Sequence, residues 1–108
     1  MTMNGEICVV LTTCPNRESA EQLAAALVEQ RLAACVSISA PALSIYPWQG
    51  RVEREQELPL TIKTSTARLG ALEEALVEQH PYEVPEFLVL PIAQGRRDYV
   101  QWIRDWVE

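Results

Sequence analysis

Residues 32–50, LAACVSISAPALSIYPWQG, run straight into residues 51–64, RVEREQELPLTIKT, and the two stretches read as the arms of one hairpin. Both read as extended, and Trp48-Gln49-Gly50-Arg51 supplies the turn between them. Each arm, of roughly 14 residues at about 3.3 Å apiece, would span about 45 Å, whereas a 100-residue domain has a radius of gyration near 13 Å. The hairpin must therefore overhang its own domain. Pro41, Pro47 and Pro59 mark bends or edge positions, since each removes a ladder donor. A two-stranded arm is not stable alone in water, so neighbouring copies of the chain are expected to cover it.

Working outward, Ile7–Leu11 is an unbroken apolar run followed by Thr12 and Thr13, suited to a central strand. Cys14-Pro15-Asn16 then turns the chain, with Asn16 as N-cap and Glu18 and Glu21 favoured by the helix dipole. The helix runs to about Gln30, and Ala20, Leu23, Ala24, Leu27 and Val28 form its buried face. After the hairpin a second helix is predicted from about Thr66 to Gln79, with Leu69, Leu72 and Leu76 as its buried stripe. Phe87–Ile92 is a final strand. Tyr99, Trp102, Ile103 and Trp106 place an aromatic stripe on a short last helix, where packing is the expected role. The pentapeptide Ala26-Leu27-Val28-Glu29-Gln30 recurs as residues 75–79, each copy ending a helix that precedes a strand. Two β-α-β halves joined by a hairpin give an α+β, ferredoxin-like split β-α-β sandwich: a four-stranded antiparallel sheet, two helices on one face, and an added C-terminal helix.

A chain of 108 residues, 48% of them hydrophobic, suits one domain over residues 1–108. Fifteen acidic against nine basic residues give a net charge of −6, and no basic run exceeds Arg96-Arg97, which argues against nucleic acid as a partner. The uncharged stretch 32–50 is too interrupted by serine, proline and glutamine to span a membrane. The N-terminus does not read as a secretory signal, and Cys8, Cys14 and Cys35 form neither an even set nor a CxxC. A cytoplasmic protein with free thiols is the expectation, Cys35 being a buried small hydrophobe between Ala34 and Val36.

The densest chemistry lies in His80-Pro81-Tyr82-Glu83-Val84-Pro85-Glu86, where two prolines hold an imidazole, a phenol and two carboxylates at a fixed bend. Imidazole and thiolate are suitable donors for copper or zinc, and Glu83 or Glu86 could add oxygen. No two of Cys14, Cys35 and His80 sit at a short metal-ligand spacing, so any metal site must be assembled by folding or across subunits. Glu53, Glu55 and Glu57 alternate along one strand face, the pattern of a solvated or interface surface. No serine-histidine-acid order and no phosphate loop is present.

Tyr46, Trp48-x-Gly50, the three glutamates 53, 55 and 57, Lys63-Thr64, the segment 80–86, Tyr99-x-x-Trp102 and Ala33-Ala34-Cys35-Val36 occur in an order that resembles the divalent-cation tolerance protein CutA family over about residues 7–106. The resemblance implies a ferredoxin-like homotrimer, similar to the PII signalling proteins and associated with tolerance of copper and other divalent metals. It also ties copper to a cysteine near the end of the first strand and to paired histidines before Pro-Tyr. Here Thr12 stands at the first of those positions with Cys14 two residues on, and Gln79 replaces the first histidine, so His80 alone keeps the register. The candidate metal set is His80, Cys14 and Glu83. The candidate ligand cleft, between subunits, is Tyr46, Trp48, Lys63, Tyr82 and Glu86, an aromatic wall with one cation and one anion for a small polar ligand. A binding and assembly protein is the first reading, with copper or another divalent ion as a non-essential ligand. The alternatives are an enzyme using His80, Tyr82 and Glu86 in the cleft, and a metal chaperone, against which the absent CxxC counts.

Overall fold

The structure, a computed structural model, describes residues 6–108. Strand β1 (Ile7–Cys14) leads to helix α1 (Arg17–Glu29), then to β2 (Cys35–Ile38), β3 (Ala42–Trp48) and β4 (Arg51–Ser65). A 3₁₀ turn (Thr66–Arg68) precedes helix α2 (Leu69–Gln79), followed by β5 (Leu88–Pro91) and helix α3 (Arg97–Val107). The strands lie in the order β2-β4-β1-β5, every pair antiparallel, and β3 continues along the same edge of β4 as β2. This is the ferredoxin-like arrangement expected from the two β-α-β halves.

The core follows from the period-2 alternation of the two central strands. Val10 and Cys14 of β1, with Leu58, Leu60 and Ile62 of β4, turn one face to Ala20, Leu23 and Leu27 of α1 and to Leu72 and Leu76 of α2. Asn16 caps α1 as predicted, its side chain accepting from the Ser19 amide at 2.8 Å. Among the described residues the opposite sheet face is covered at one end, where Val100, Ile103 and Val107 of α3 pack on Ile7 and Ala34. The aromatic stripe divides at this point. Trp106 packs, with its indole N–H donating to the Val28 carbonyl and the Arg31 guanidinium 3.8 Å above its ring. Tyr99 and Trp102 instead stack on each other in the open, contrary to the packing role expected of them within the subunit. The remainder of that sheet face carries Val9 and Leu11 opposite Leu90 and Leu88, both exposed.

The hairpin arm overhangs as its length demands. The molecule measures 47 × 25 × 24 Å, and its radius of gyration of 14.5 Å exceeds the roughly 13 Å of a compact chain this long. Gln49 and Gly50, with φ of 51° and 79°, close a two-residue turn between Trp48 and Arg51 whose twist suits the strands. The first arm is not one strand, however. Ile38 pairs with Leu60 and Ala42 with Glu57, so Ser39, Ala40 and Pro41 oppose only Leu58 and Pro59. This is a β-bulge, set where Pro59 has no N–H to give and its carbonyl accepts from Ser39. Beyond the bulge the facing is exchanged. Ser44, Tyr46 and Trp48 lie opposite Glu55, Glu53 and Arg51 on one face, while Leu43, Ile45 and Val52 occupy the other.

Candidate functional site

His80 follows directly on α2, where Pro81 stops the helix. The residue is 8% exposed, and its Nδ1 accepts the Tyr82 amide at 3.0 Å. That bond leaves the proton on Nε2, which donates to the Thr13 carbonyl at 2.7 Å. The carbonyl is free for a local reason. The Ile7 carbonyl receives the Ile92 amide on the β5 side, and Thr13, an even number of residues on, directs its carbonyl the same way. There β5 has not yet begun, since its pairing starts at Leu88 with Leu11. His80 thus fills the ladder position that the short edge strand leaves empty, and it fastens the proline segment to the end of β1.

Held in this way, the segment faces the base of the arm across a cleft of about 510 Å³. Tyr46, Trp48 and Tyr82 are its aromatic walls, and Glu57, Glu83 and Glu86 its charged groups. Glu57 is the innermost of these, 7% exposed, with Oε2 accepting from the Tyr82 hydroxyl at 2.7 Å and from Thr13 Oγ1 at 3.1 Å. Both donors are neutral, and none of the ion pairs among the described residues involves Glu57. Burial, and then the hydrogen bond and charge of Glu57, hold the Tyr82 phenol well above the ordinary tyrosine range. Tyr46 is also raised, by desolvation and then by Glu55, Glu57 and Glu53.

Four of the five cleft residues expected from sequence, Tyr46, Trp48, Tyr82 and Glu86, do line this one space. Lys63 does not. It lies on the same face of β4 as Glu57 but six residues along, roughly 20 Å away at about 3.3 Å per residue. There its ammonium donates to the Tyr99 hydroxyl at 3.2 Å. Glu57, read from sequence as part of a solvated face, takes the central place instead. The signal available for it was the start of the apolar run at Leu58, which brings β4 under cover one residue later.

The metal set is only half assembled within the subunit. Cys14 Sγ and His80 Nε2 approach to 3.9 Å, but Glu83 lines the cleft, and among the described residues no three His, Cys, Asp or Glu side chains are placed to hold an ion. Burial raises the Cys14 thiol, with Ser19 opposing and Glu57 adding to the shift, which leaves it a poor thiolate donor. Cys35 is half-buried beside Ser37 rather than enclosed as expected. Of the alternative catalytic set, His80 has both ring nitrogens hydrogen-bonded to backbone, the Tyr82 hydroxyl donates to Glu57, and Glu86 lines the cleft.

Comparison with known proteins agrees with this architecture. The family model of the CutA1 divalent ion tolerance protein matches residues 8–106. The chain is 52% identical over 97 residues to the divalent-cation tolerance protein CutA of Thermus thermophilus, covering 90% of this chain and 94% of that one. It is 41% identical over 104 residues to Protein CutA of Homo sapiens, covering 96% of this chain but spanning only 58% of the human protein. Among solved structures it superposes with a TM-score of 0.91 on the periplasmic divalent cation tolerance protein CutA from Archaeoglobus fulgidus, 31% identical, with 94% of this chain and 99% of that chain covered.

Proposed function

The chain belongs to the CutA1 divalent ion tolerance family, and on that premise we propose that it is a non-enzymatic, PII-like binding protein working as a homotrimer. Small-ligand sites lie in the clefts where the arm of one subunit meets a neighbour. The observation that carries this reading is the arm itself. One of its faces forms the cleft, while the other exposes Leu43, Ile45 and Val52, the last 73% accessible, with no element among the described residues to cover them. Val9, Leu11, Leu88 and Leu90 on the open sheet face supply a second apolar surface for the same assembly. Trimer formation buries both.

Tolerance of divalent metal, copper included, is assigned to this assembly. Cys14 and His80 supply a thiol and an imidazole, and completing a copper site requires donors from an adjoining subunit together with release of the His80 bond to Thr13. A cytoplasmic location accords with three cysteines free of disulfides, and no helix among the described residues is long and apolar enough to cross a membrane. Size exclusion with light scattering tests the reading, with an expected mass about three times the 12.2 kDa chain. Calorimetric copper titration of the same sample is expected to saturate with a stoichiometry set by the trimer. A monomer at micromolar concentration refutes the assembly, and non-saturating copper heats refute the site.

A further inference from the structure

The cleft carries a chemical preference that its size alone does not give. Three carboxylates, Glu57, Glu83 and Glu86, line it together with three aromatic rings, and no lysine or arginine does. Glu57 offers both hydroxyl donors a single oxygen, Oε2, and its Oε1 accepts no hydrogen bond among the described residues. A carboxylate enclosed this far and met only by neutral donors keeps its charge available to a cation in the cleft, because neutral hydrogen bonds do not cancel it.

Three classes of occupant can be compared on this geometry. An anion such as a nucleotide would enter a space with three like charges and no cation. A lone divalent metal would need several oxygen ligands converging on one point at about 2.0–2.6 Å, and the acidic side chains are not grouped to provide that. A positively charged organic group needs neither. It requires one buried counter-charge and aromatic faces on which carbon-bound positive charge is stabilised, with room for a carbon skeleton. A volume of about 510 Å³ is that of a small-molecule site.

We propose that the cleft binds an organic ammonium compound, with its charge met by Glu57 and its carbon skeleton lying against Tyr46, Trp48 and Tyr82. This rests on the cleft-ligand reading above and names its ligand class. Tyr82 and Thr13 act as positioning residues, since their hydroxyls hold Oε2 and leave Oε1 directed to the ligand. Glu83 and Glu86 add long-range attraction at the mouth.

The test is calorimetric titration of the full chain in its native assembly with 1,4-diaminobutane, using 1,4-butanediol as the neutral control, at matched ionic strength. Saturable diamine binding at one site per subunit is expected, with no diol binding. Glu57→Gln keeps the shape of the side chain and removes its charge, and is expected to weaken the diamine by about tenfold or more. Trp48→Leu, placed on the arm beyond the folded core, keeps the question open to refutation if Glu57→Gln does not fold, and it is expected to weaken binding severalfold. Equal diamine affinity in the wild type and both variants would mean general attraction to an acidic surface and would overturn the proposal, as would equal binding of diamine and diol. Copper(II) and ATP are titrated in parallel. Heat from either that disappears in Trp48→Leu, with none from the diamine, preserves the cleft reading and overturns the ammonium assignment. Silence from all probes with the assembly intact overturns both.

Discussion

Replacing His80 by alanine separates a structural fastening from a metal ligand. In the fold the imidazole makes two hydrogen bonds, to the Thr13 carbonyl and from the Tyr82 amide, and is almost wholly enclosed. Each bond is worth about 1 kcal/mol net, and a buried partner left unsatisfied adds a further penalty of about 1 kcal/mol or more, so His80→Ala is expected to cost roughly 3 kcal/mol per subunit. For a chain of this size that lowers Tm by about 13 °C. His80→Asn keeps an acceptor positioned for the amide two residues on, as in an Asx turn, and is expected to recover about 1 kcal/mol of the loss. Thermal melts followed by far-UV circular dichroism give the comparison. They are run at one fixed subunit concentration, because an oligomer's Tm depends on it. A loss in His80→Ala below about 1 kcal/mol, the low end for a single hydrogen bond, would refute the fastening role. If such a stable variant also lost copper binding, the residue would be a ligand and nothing more.

Charge placed on the uncovered face of the arm is expected to act on assembly rather than on the fold. Ile45→Glu lies opposite Arg54 and is exposed in the lone subunit, so light scattering should show dissociation while circular dichroism stays unchanged; an intact trimer would mean that this face is not an interface. Stability is expected to fall at alkaline pH. Burial raises the Cys8 and Cys14 thiols above their ordinary value of 9.0, and burial with Glu57 raises Tyr82 above its ordinary 10.0, so the fold keeps these protons after the unfolded chain has released them. Their contribution is complete below about pH 9 for the thiols and pH 10 for the phenol, then declines by about 1.4 kcal/mol per pH unit for each group still protonated only in the fold. Urea titrations across pH 8–11 measure the slope, which in Tyr82→Phe should be shallower above pH 10; identical slopes would contradict the Tyr82 assignment.

Much of the fold is written in short-range pattern. The apolar run at Ile7–Leu11, the three-and-four spacing within α1 and α2, and the Gln49-Gly50 turn each specify an element without reference to the others. The length of the hairpin gave its overhang by arithmetic alone. What pattern did not give was three-dimensional distance. Lys63 shares a strand face with Glu57, yet six residues of strand separate them within one subunit, a separation that residue order alone does not convey. Glu57 itself was grouped with Glu53 and Glu55 because alternation reports which face a residue takes, not what crosses over that face. The covering group, Tyr82, comes from a segment 25 residues on that the His80 bond to Thr13 fastens beside it.

The bulge at Ser39–Pro41 shows how a single backbone feature decides the chemistry of the cleft. In the register of β2 with β4, the residues opposite Glu55 and Glu53 would be Leu43 and Ile45, and the cleft would have an aliphatic wall. One extra residue in the bulge moves every side chain of β3 to the other face and sets Ser44 and Tyr46 there, with Trp48 following. The two prolines make the displacement locally inexpensive, since neither Pro41 nor Pro59 has an N–H to lose from the ladder at that point. The same displacement carries Leu43 and Ile45 outward, onto the face proposed for the neighbouring subunit. Aromatic walls for a cation on one side and an apolar strip for assembly on the other are therefore alternative expressions of one register shift, so a change that removed the bulge would exchange both surfaces together.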